Sequence, residues 1–240
     1  MPSATLQGLR ERLIVALDVS SASAAQRLVL QIGDSASIYK VGLQLFTAEG
    51  PEVVRDLVAS GRKVFLDLKL HDIPNTVSHA VKSAVELGAT MLTVHGSGGI
   101  AMLNAAVQAA NHRLSILAVT VLTSLNDEDL QEIGYSSGTV DQALRIAALA
   151  RSTGCDAVVT SAKEVSALRK MLGEGFGIVV PGVRPQGSDR NDQQRIATPA
   201  QAISSGASHI VVGRPITQAA NPANAAAAIL DEMASAATVR

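Results

Sequence analysis

Asp67, Lys69 and Asp72 close the apolar run Phe65-Leu-Asp67-Leu-Lys69-Leu-His71-Asp72-Ile-Pro74-Asn75-Thr76. A charge placed in such a run is costly unless it is paired, and here acid, base and acid follow one another. Alternate residues of a strand share a face. Asp67 and Lys69 therefore point one way, and Leu66, Leu68 and Leu70 the other. Asp72 falls just beyond, where Pro74 ends the strand. An ammonium held between two carboxylates can stabilise a developing negative charge and deliver a proton. The same spacing also suits a purely structural ion-pair network, so the elements that position the three residues have to decide between the readings.

Short apolar, β-branched runs alternate with Ala-rich amphipathic stretches along all 240 residues. Eight strands are expected: Leu13–Val19, Ile38–Leu43, Lys63–Leu70, Met91–His95, Ser115–Leu122, Ala157–Ser161, Gly177–Val183 and His209–Gly213. Helices are expected over Ala22–Ile32, Pro51–Ser60, Asn75–Leu87, Gly99–Ala110, Val140–Ser152, Lys163–Leu172 and Pro199–Ser205. A last one starts at Asn221-Pro222, a capping residue followed by proline at the first helical position. Nearly continuous apolar strands alternating with helices predict a parallel sheet covered by helices. Eight such units in one chain fit a single-domain (β/α)₈ barrel spanning 1–240. The competing architecture is an open doubly wound sheet. It lacks support, because Asp18-Val-Ser-Ser stands after the first strand where a Gly-x-Gly-x-x-Gly turn would be needed.

In a barrel, chemistry sits at the C-terminal ends of the strands. Those ends carry Asp18, Lys40, Asp67 with Lys69, His95, Thr123, Ser161, Arg184 and Arg214. Two loops are long, Ser124–Gly138 and Arg184–Arg195, and loops of that length on the active face commonly act as lids. The second holds three arginines and follows strand seven, while Gly213-Arg214 follows strand eight, where barrels bind phosphate.

Composition removes several function classes. Hydrophobic residues are 47% and charged residues 17% of the chain, with a formal net charge of -1. No basic block offers a footprint for nucleic acid or an anionic membrane. Aromatics are 2%, too few for base-stacking platforms. Cys155 is the sole cysteine, which rules out an intramolecular disulfide and a multi-cysteine zinc site and suits a reducing compartment and an inert core position. The five histidines show no metal-ligand spacing. Met1–Arg12 has no basic-then-apolar leader pattern, and the expectation is a cytoplasmic protein. Asp127-Glu-Asp129 reads as a solvated loop or a helix start.

The segment Asp67-Leu-Lys69-Leu-His-Asp72-Ile-Pro-Asn-Thr76 resembles the signature of the orotidine 5′-monophosphate decarboxylase family. Ala16-Leu-Asp18, Lys40-Val-Gly, Val119-Thr-Val-Leu-Thr123-Ser, Pro181-Gly-Val-Arg184-Pro-Gln186-Gly and Val212-Gly213-Arg214-Pro-Ile-Thr match in order. The Pro-Gly-Val-Arg-Pro-Gln-Gly segment is most similar to the bacterial branch. The resemblance covers essentially the whole chain. Two positions depart from it: Gly96 stands where a small residue, often alanine, is expected, and Leu70 where an aromatic is common.

The resemblance implies a homodimeric (β/α)₈ barrel that converts orotidine 5′-monophosphate to uridine 5′-monophosphate and CO₂. That reaction is the last step of de novo pyrimidine synthesis, and the family uses no cofactor and no metal. Carried over by position, Lys69 is the proton donor to C6 and Asp67 lies near the scissile carboxylate. Asp72 and Thr76 reach into the neighbouring subunit's site. Asp18 and Lys40 contact the ribose, with Lys40 also joining the charged network. Thr123 meets the pyrimidine edge. Arg214, Gln193 and Gln186 hold phosphate, Gly213 donates a backbone N–H to it, and Arg184 belongs to the same loop.

The chemistry agrees with the residues. Loss of CO₂ from C6 leaves an electron pair in the ring plane, where the π-system delocalises it poorly. No pyridoxal, thiamine or metal motif supplies an electron sink, so fixed charge must stabilise the pair. Flanking carboxylates favour the charged form of Lys69, which argues against Schiff-base chemistry. Two other functions compete. A metal-dependent sugar-phosphate decarboxylase or synthase of the same superfamily shares Asp-x-Lys-x-x-Asp, but has an acidic ligand where Lys40 stands here, and Mg²⁺ prefers carboxylate oxygens. A catalytically silent, nucleotide-binding barrel would not need the triad intact.

Overall fold

The computed structural model describes residues 6–185 and 197–237. Its eight strands are β1 (Leu13–Ala16), β2 (Ile38–Gly42), β3 (Lys63–Leu70), β4 (Met91–His95), β5 (Ser115–Val119), β6 (Ala157–Val159), β7 (Gly177–Val180) and β8 (His209–Val212). They close into a barrel in chain order, every neighbouring pair parallel and β8 returning to β1. Parallel neighbours cannot be joined by hairpins, and helices make the crossovers.

Every strand begins where the sequence predicts, and six of the eight end sooner. Apolar residues continue beyond several of these ends, as at Leu17, Val121 and Val183, which are buried without being in the ladder. They pack beneath the loops that shape one mouth of the barrel. The predicted helices are found with their ends moved by two residues or fewer. Three short ones were not predicted, Leu6–Arg10, Leu43–Glu49 and Arg214–Thr217, and at Asp127–Glu132 the helix start, one of the two expectations there, is what forms. Leu43, read as the end of a strand, starts a helix after Gly42.

The Ser124–Gly138 segment contains the short helix Asp127–Glu132. Asn126 Oδ1 accepts from Asp129 N (2.9 Å) and Asp129 Oδ2 accepts from Asn126 N (2.8 Å), a reciprocal cap. Asp127 Oδ1 accepts from Thr139 N at 2.7 Å, tying the short helix to the next one. Leu130 packs on Val121 and Ala143.

Strand alternation builds two cores. Leu13, Val15, Val64 and Leu66 face the helices, while Ile14, Ala16, Ile38, Phe65, Leu117, Val119, Val179 and Val211 fill the barrel. Each fully buried Val, Leu or Ile stabilises the fold by about 1.5–3 kcal/mol. Two residues further along the same inward face, apolar gives way to charge: Ala16 is followed by Asp18, Ile38 by Lys40 and Phe65 by Asp67. The barrel is thus sealed below and polar above. Among the described residues no helix is long and apolar enough to cross a membrane. Cys155 is buried, and burial pushes its thiol up to about 11, which keeps it inert.

His209 opens β8 at the opposite end of the barrel. Its Nδ1 is buried without a hydrogen-bond partner. Burial, aided by the Arg12 and Lys63 charges, lowers its pKa from 6.5 to about 4. The unfolded chain therefore binds a proton between those values that the folded chain refuses. Stability is full above pH 6.5 and falls as pH drops toward 4, by up to about 3 kcal/mol from this residue. Urea unfolding at several pH values should show this slope, and His209→Gln should flatten it. An unchanged slope would exclude His209 as its source.

Candidate active site

The strand ends bring four charges into one row. Lys40 Nζ lies 2.9 Å from Asp18 Oδ1 and 3.6 Å from Asp67 Oδ2. Lys69 Nζ lies 2.8 Å from Asp67 Oδ1. The order in space is Asp18, Lys40, Asp67, Lys69, with signs alternating throughout. Asp67 and Lys40 are nearly withdrawn from solvent, at 13% and 11% side-chain exposure, whereas Lys69 keeps 31%. Lys69 is thus the cation of the row most available to a ligand, and its carboxylate partner is held from several sides.

This geometry needs an irregular strand. The β3–β4 ladder pairs Leu66 with Leu92 and then Leu70 with Val94, so Asp67, Leu68 and Lys69 face only Thr93. Lys69 has φ +50°, a left-handed conformation uncommon for a residue with a Cβ. Thr93 Oγ1 accepts from Lys69 N at 2.8 Å and donates to Asp67 Oδ1 at 3.0 Å. Despite the bulge, Asp67 and Lys69 share the inward side, as alternation predicts, and Leu68 and Leu70 pack against the helix-facing core.

The row borders a cavity of about 600 Å³, the size of a small-molecule site. Of the residues singled out in the sequence, Asp18, Lys40, Asp67, Lys69, Thr123, Arg184, Gly213 and Arg214 all line it. Its remaining walls include Gln44, Thr160 and Gln218, which the sequence reading passed over. The arginines come from the ends of β7 and β8, so one side of the cavity is suited to an anion. Asp72 and Thr76 are exposed and outside the cavity of their own chain. Asp72 Oδ1 accepts from Ile73 N at 2.7 Å. The row of charges within one chain is therefore completed by Lys40 and Asp18, not by Asp72. Gln186 and Gln193 lie outside the described residues, as does most of the loop predicted to be a lid.

Beside the row, His95 stacks on His71 with ring centroids 5.1 Å apart. Burial first, then His71 and Lys69, lowers the pKa of His95. Gly96 follows in a tight place, where an added Cβ would come within 2.2 Å of Ile146 Cγ2 and 2.9 Å of the Val119 carbonyl oxygen. Ile146 thus explains why glycine stands where the resemblance anticipates alanine. Just beyond β6, Ser161 is buried and does not line the cavity. Its hydroxyl and that of Thr160 both donate to the buried Glu164 carboxylate, a contact that orients the Thr160 wall. Among the described residues, no three His, Cys, Asp or Glu side chains converge as a metal centre.

Comparison with known proteins agrees with this geometry. Residues 11–229 match the family described as orotidine 5′-phosphate decarboxylase / HUMPS. The chain is 50% identical to an orotidine 5′-phosphate decarboxylase of Afipia carboxidovorans, over 94% of this chain and 95% of that one. It is 48% identical to one of Moorella thermoacetica, over 93% and 92%. The crystal structure of orotidine 5′-phosphate decarboxylase from Lactobacillus acidophilus superposes with a TM-score of 0.83 at 38% identity, covering 92% of this chain and 98% of that one.

Proposed function

Because this chain belongs to the orotidine 5′-phosphate decarboxylase family, we propose that its cavity binds orotidine 5′-monophosphate and releases CO₂ from C6 to give uridine 5′-monophosphate. The protein is a decarboxylase of pyrimidine biosynthesis. The observation that carries this reading is the alternating row of Asp18, Lys40, Asp67 and Lys69 in the wall of a cavity that Arg184 and Arg214 also line.

Each residue then has a physical task. Arg184, Arg214 and the Gly213 backbone hold the phosphate, with Gln186 and Gln193 from the same loop as expected partners. Binding energy gained there, far from the reacting carbon, positions the ring. Asp18 and Lys40 meet the ribose, and Thr123 the pyrimidine edge. When the C6–carboxylate bond breaks, its electron pair stays on C6. The Lys69 ammonium stabilises that pair and then transfers a proton to it. Asp67 keeps the ammonium aimed at C6, and its own charge lies close to the departing carboxylate.

The site is completed by a second copy of the chain. Asp72 and Thr76 sit on the exposed rim beside Ile73, an apolar residue 66% exposed, and reach across the contact into the partner's cavity. Lys40 separates this reading from a metal-dependent sugar-phosphate synthase, because its ammonium occupies the place a metal's carboxylate ligand would need.

The test is to follow loss of orotidine 5′-monophosphate absorbance with purified protein, no added cofactor, and then excess EDTA. Turnover unchanged by EDTA is expected. No turnover would overturn the reading, and loss in EDTA would favour the metal-dependent alternative.

A further inference from the structure

We propose that Thr93 is a positioning residue for the reaction, fixing both Asp67 and Lys69 through a single hydroxyl. The proposal rests on the decarboxylase reading above.

Thr93 lies in the middle of β4 and is fully buried. The slip between β3 and β4 sets three residues opposite this one, so the Lys69 N–H has no ladder carbonyl to meet and donates to Thr93 Oγ1 instead (2.8 Å). A hydroxyl that accepts an N–H still has its own proton to give, and this one goes to Asp67 Oδ1 (3.0 Å). The same Oδ1 accepts from Lys69 Nζ (2.8 Å).

The contacts form a closed ring. It leaves Lys69 at its backbone, passes through the threonine hydroxyl and the aspartate, and returns to Lys69 at its ammonium. Two of the three links belong to Thr93. The backbone of Lys69 is held at φ +50°, and a strained conformation of this kind persists where its surroundings over-determine it. Thr93 touches no part of the cavity, so its effect on chemistry must pass through the two residues that do.

Valine keeps the shape and β-branching of threonine and removes both links, whereas serine keeps both. Misplacement of a catalytic group by about 1 Å can lower a rate 10²-fold. Thr93→Val is therefore expected to lower kcat by about 10- to 100-fold, with KM and the affinity for uridine 5′-monophosphate within about threefold of wild type, because the phosphate side is untouched. Thr93→Ser should stay within about threefold of wild type throughout. If the valine variant does not fold, Thr93→Cys keeps the volume while weakening both bonds, and its kcat should fall at least about threefold.

A valine variant with kcat near wild type would overturn the proposal. So would a serine variant as impaired as valine, or a kcat loss matched by an equal loss of uridine 5′-monophosphate binding, which would mean a collapsed cavity. If the wild-type protein itself shows no turnover, the decarboxylase reading falls and this role with it. If wild type turns over and Thr93→Val is unimpaired, only the role of Thr93 falls.

Discussion

Lys69→Ala should lose nearly all turnover while the barrel stays folded. Lys69 is asked for two contributions: its charge stabilises the electron pair left at C6, and its proton then quenches that pair. Removing one preorganised electrostatic partner typically costs 10²–10³-fold, and removing a positioned proton donor 10²–10⁴-fold. The two act through one ammonium and do not add, so a loss of at least about 10³-fold in kcat is expected. The fold should tolerate the change, because Asp67 keeps the Thr93 hydroxyl at 3.0 Å and Lys40 at 3.6 Å and is not left as an uncompensated buried charge. Alanine is as strained as lysine at φ +50°, so the backbone contributes no new term. Thermal unfolding and uridine 5′-monophosphate binding report the intact fold. A variant keeping more than about one hundredth of wild-type kcat would remove Lys69 from the chemistry.

Mixing two inactive variants should restore activity. Asp72 is exposed and turned onto its own chain's Ile73 N–H, so within one subunit it does nothing for the cavity. If it completes the partner's site, Lys69→Ala and Asp72→Ala homodimers are each impaired at every site. In a heterodimer one site carries both lesions and the other carries neither. Random reassociation makes half the dimers mixed, and about a quarter of all sites are then wild type, so turnover should recover to roughly that fraction. Heterodimers confirmed by mass with no recovery would place Asp72 outside the active site.

The strand starts were legible because β-branched runs announce them, and Ile38, Met91 and Ala157 begin strands as read. The strand ends were not, because apolar character outlasts the ladder: Leu17, Val121 and Val183 remain buried as they turn into loops. Lys40 and Asp67 stood out as charges at the ends of apolar runs, and the structure brings their side chains together. Thr93 gave no signal, since threonine is an ordinary strand residue. Its importance depends on a register slip and a left-handed lysine that only the backbone reveals. The helix at Asp127–Glu132 was half legible as a helix start, and the Asn126-x-x-Asp129 pair of its reciprocal cap is the mark that separates helix from loop there.

The inner core of the barrel has a consequence for traffic. Ile14, Ile38, Phe65, Leu117 and Val179 seal the space under the charged row, and the cavity at the far end of the barrel shares no wall with the upper one. Among the described residues, the active cavity is thus closed below and open at the upper mouth of the barrel. Nucleotide enters, CO₂ departs and product leaves through the same opening. Product seated in this well fills the space that the next substrate needs.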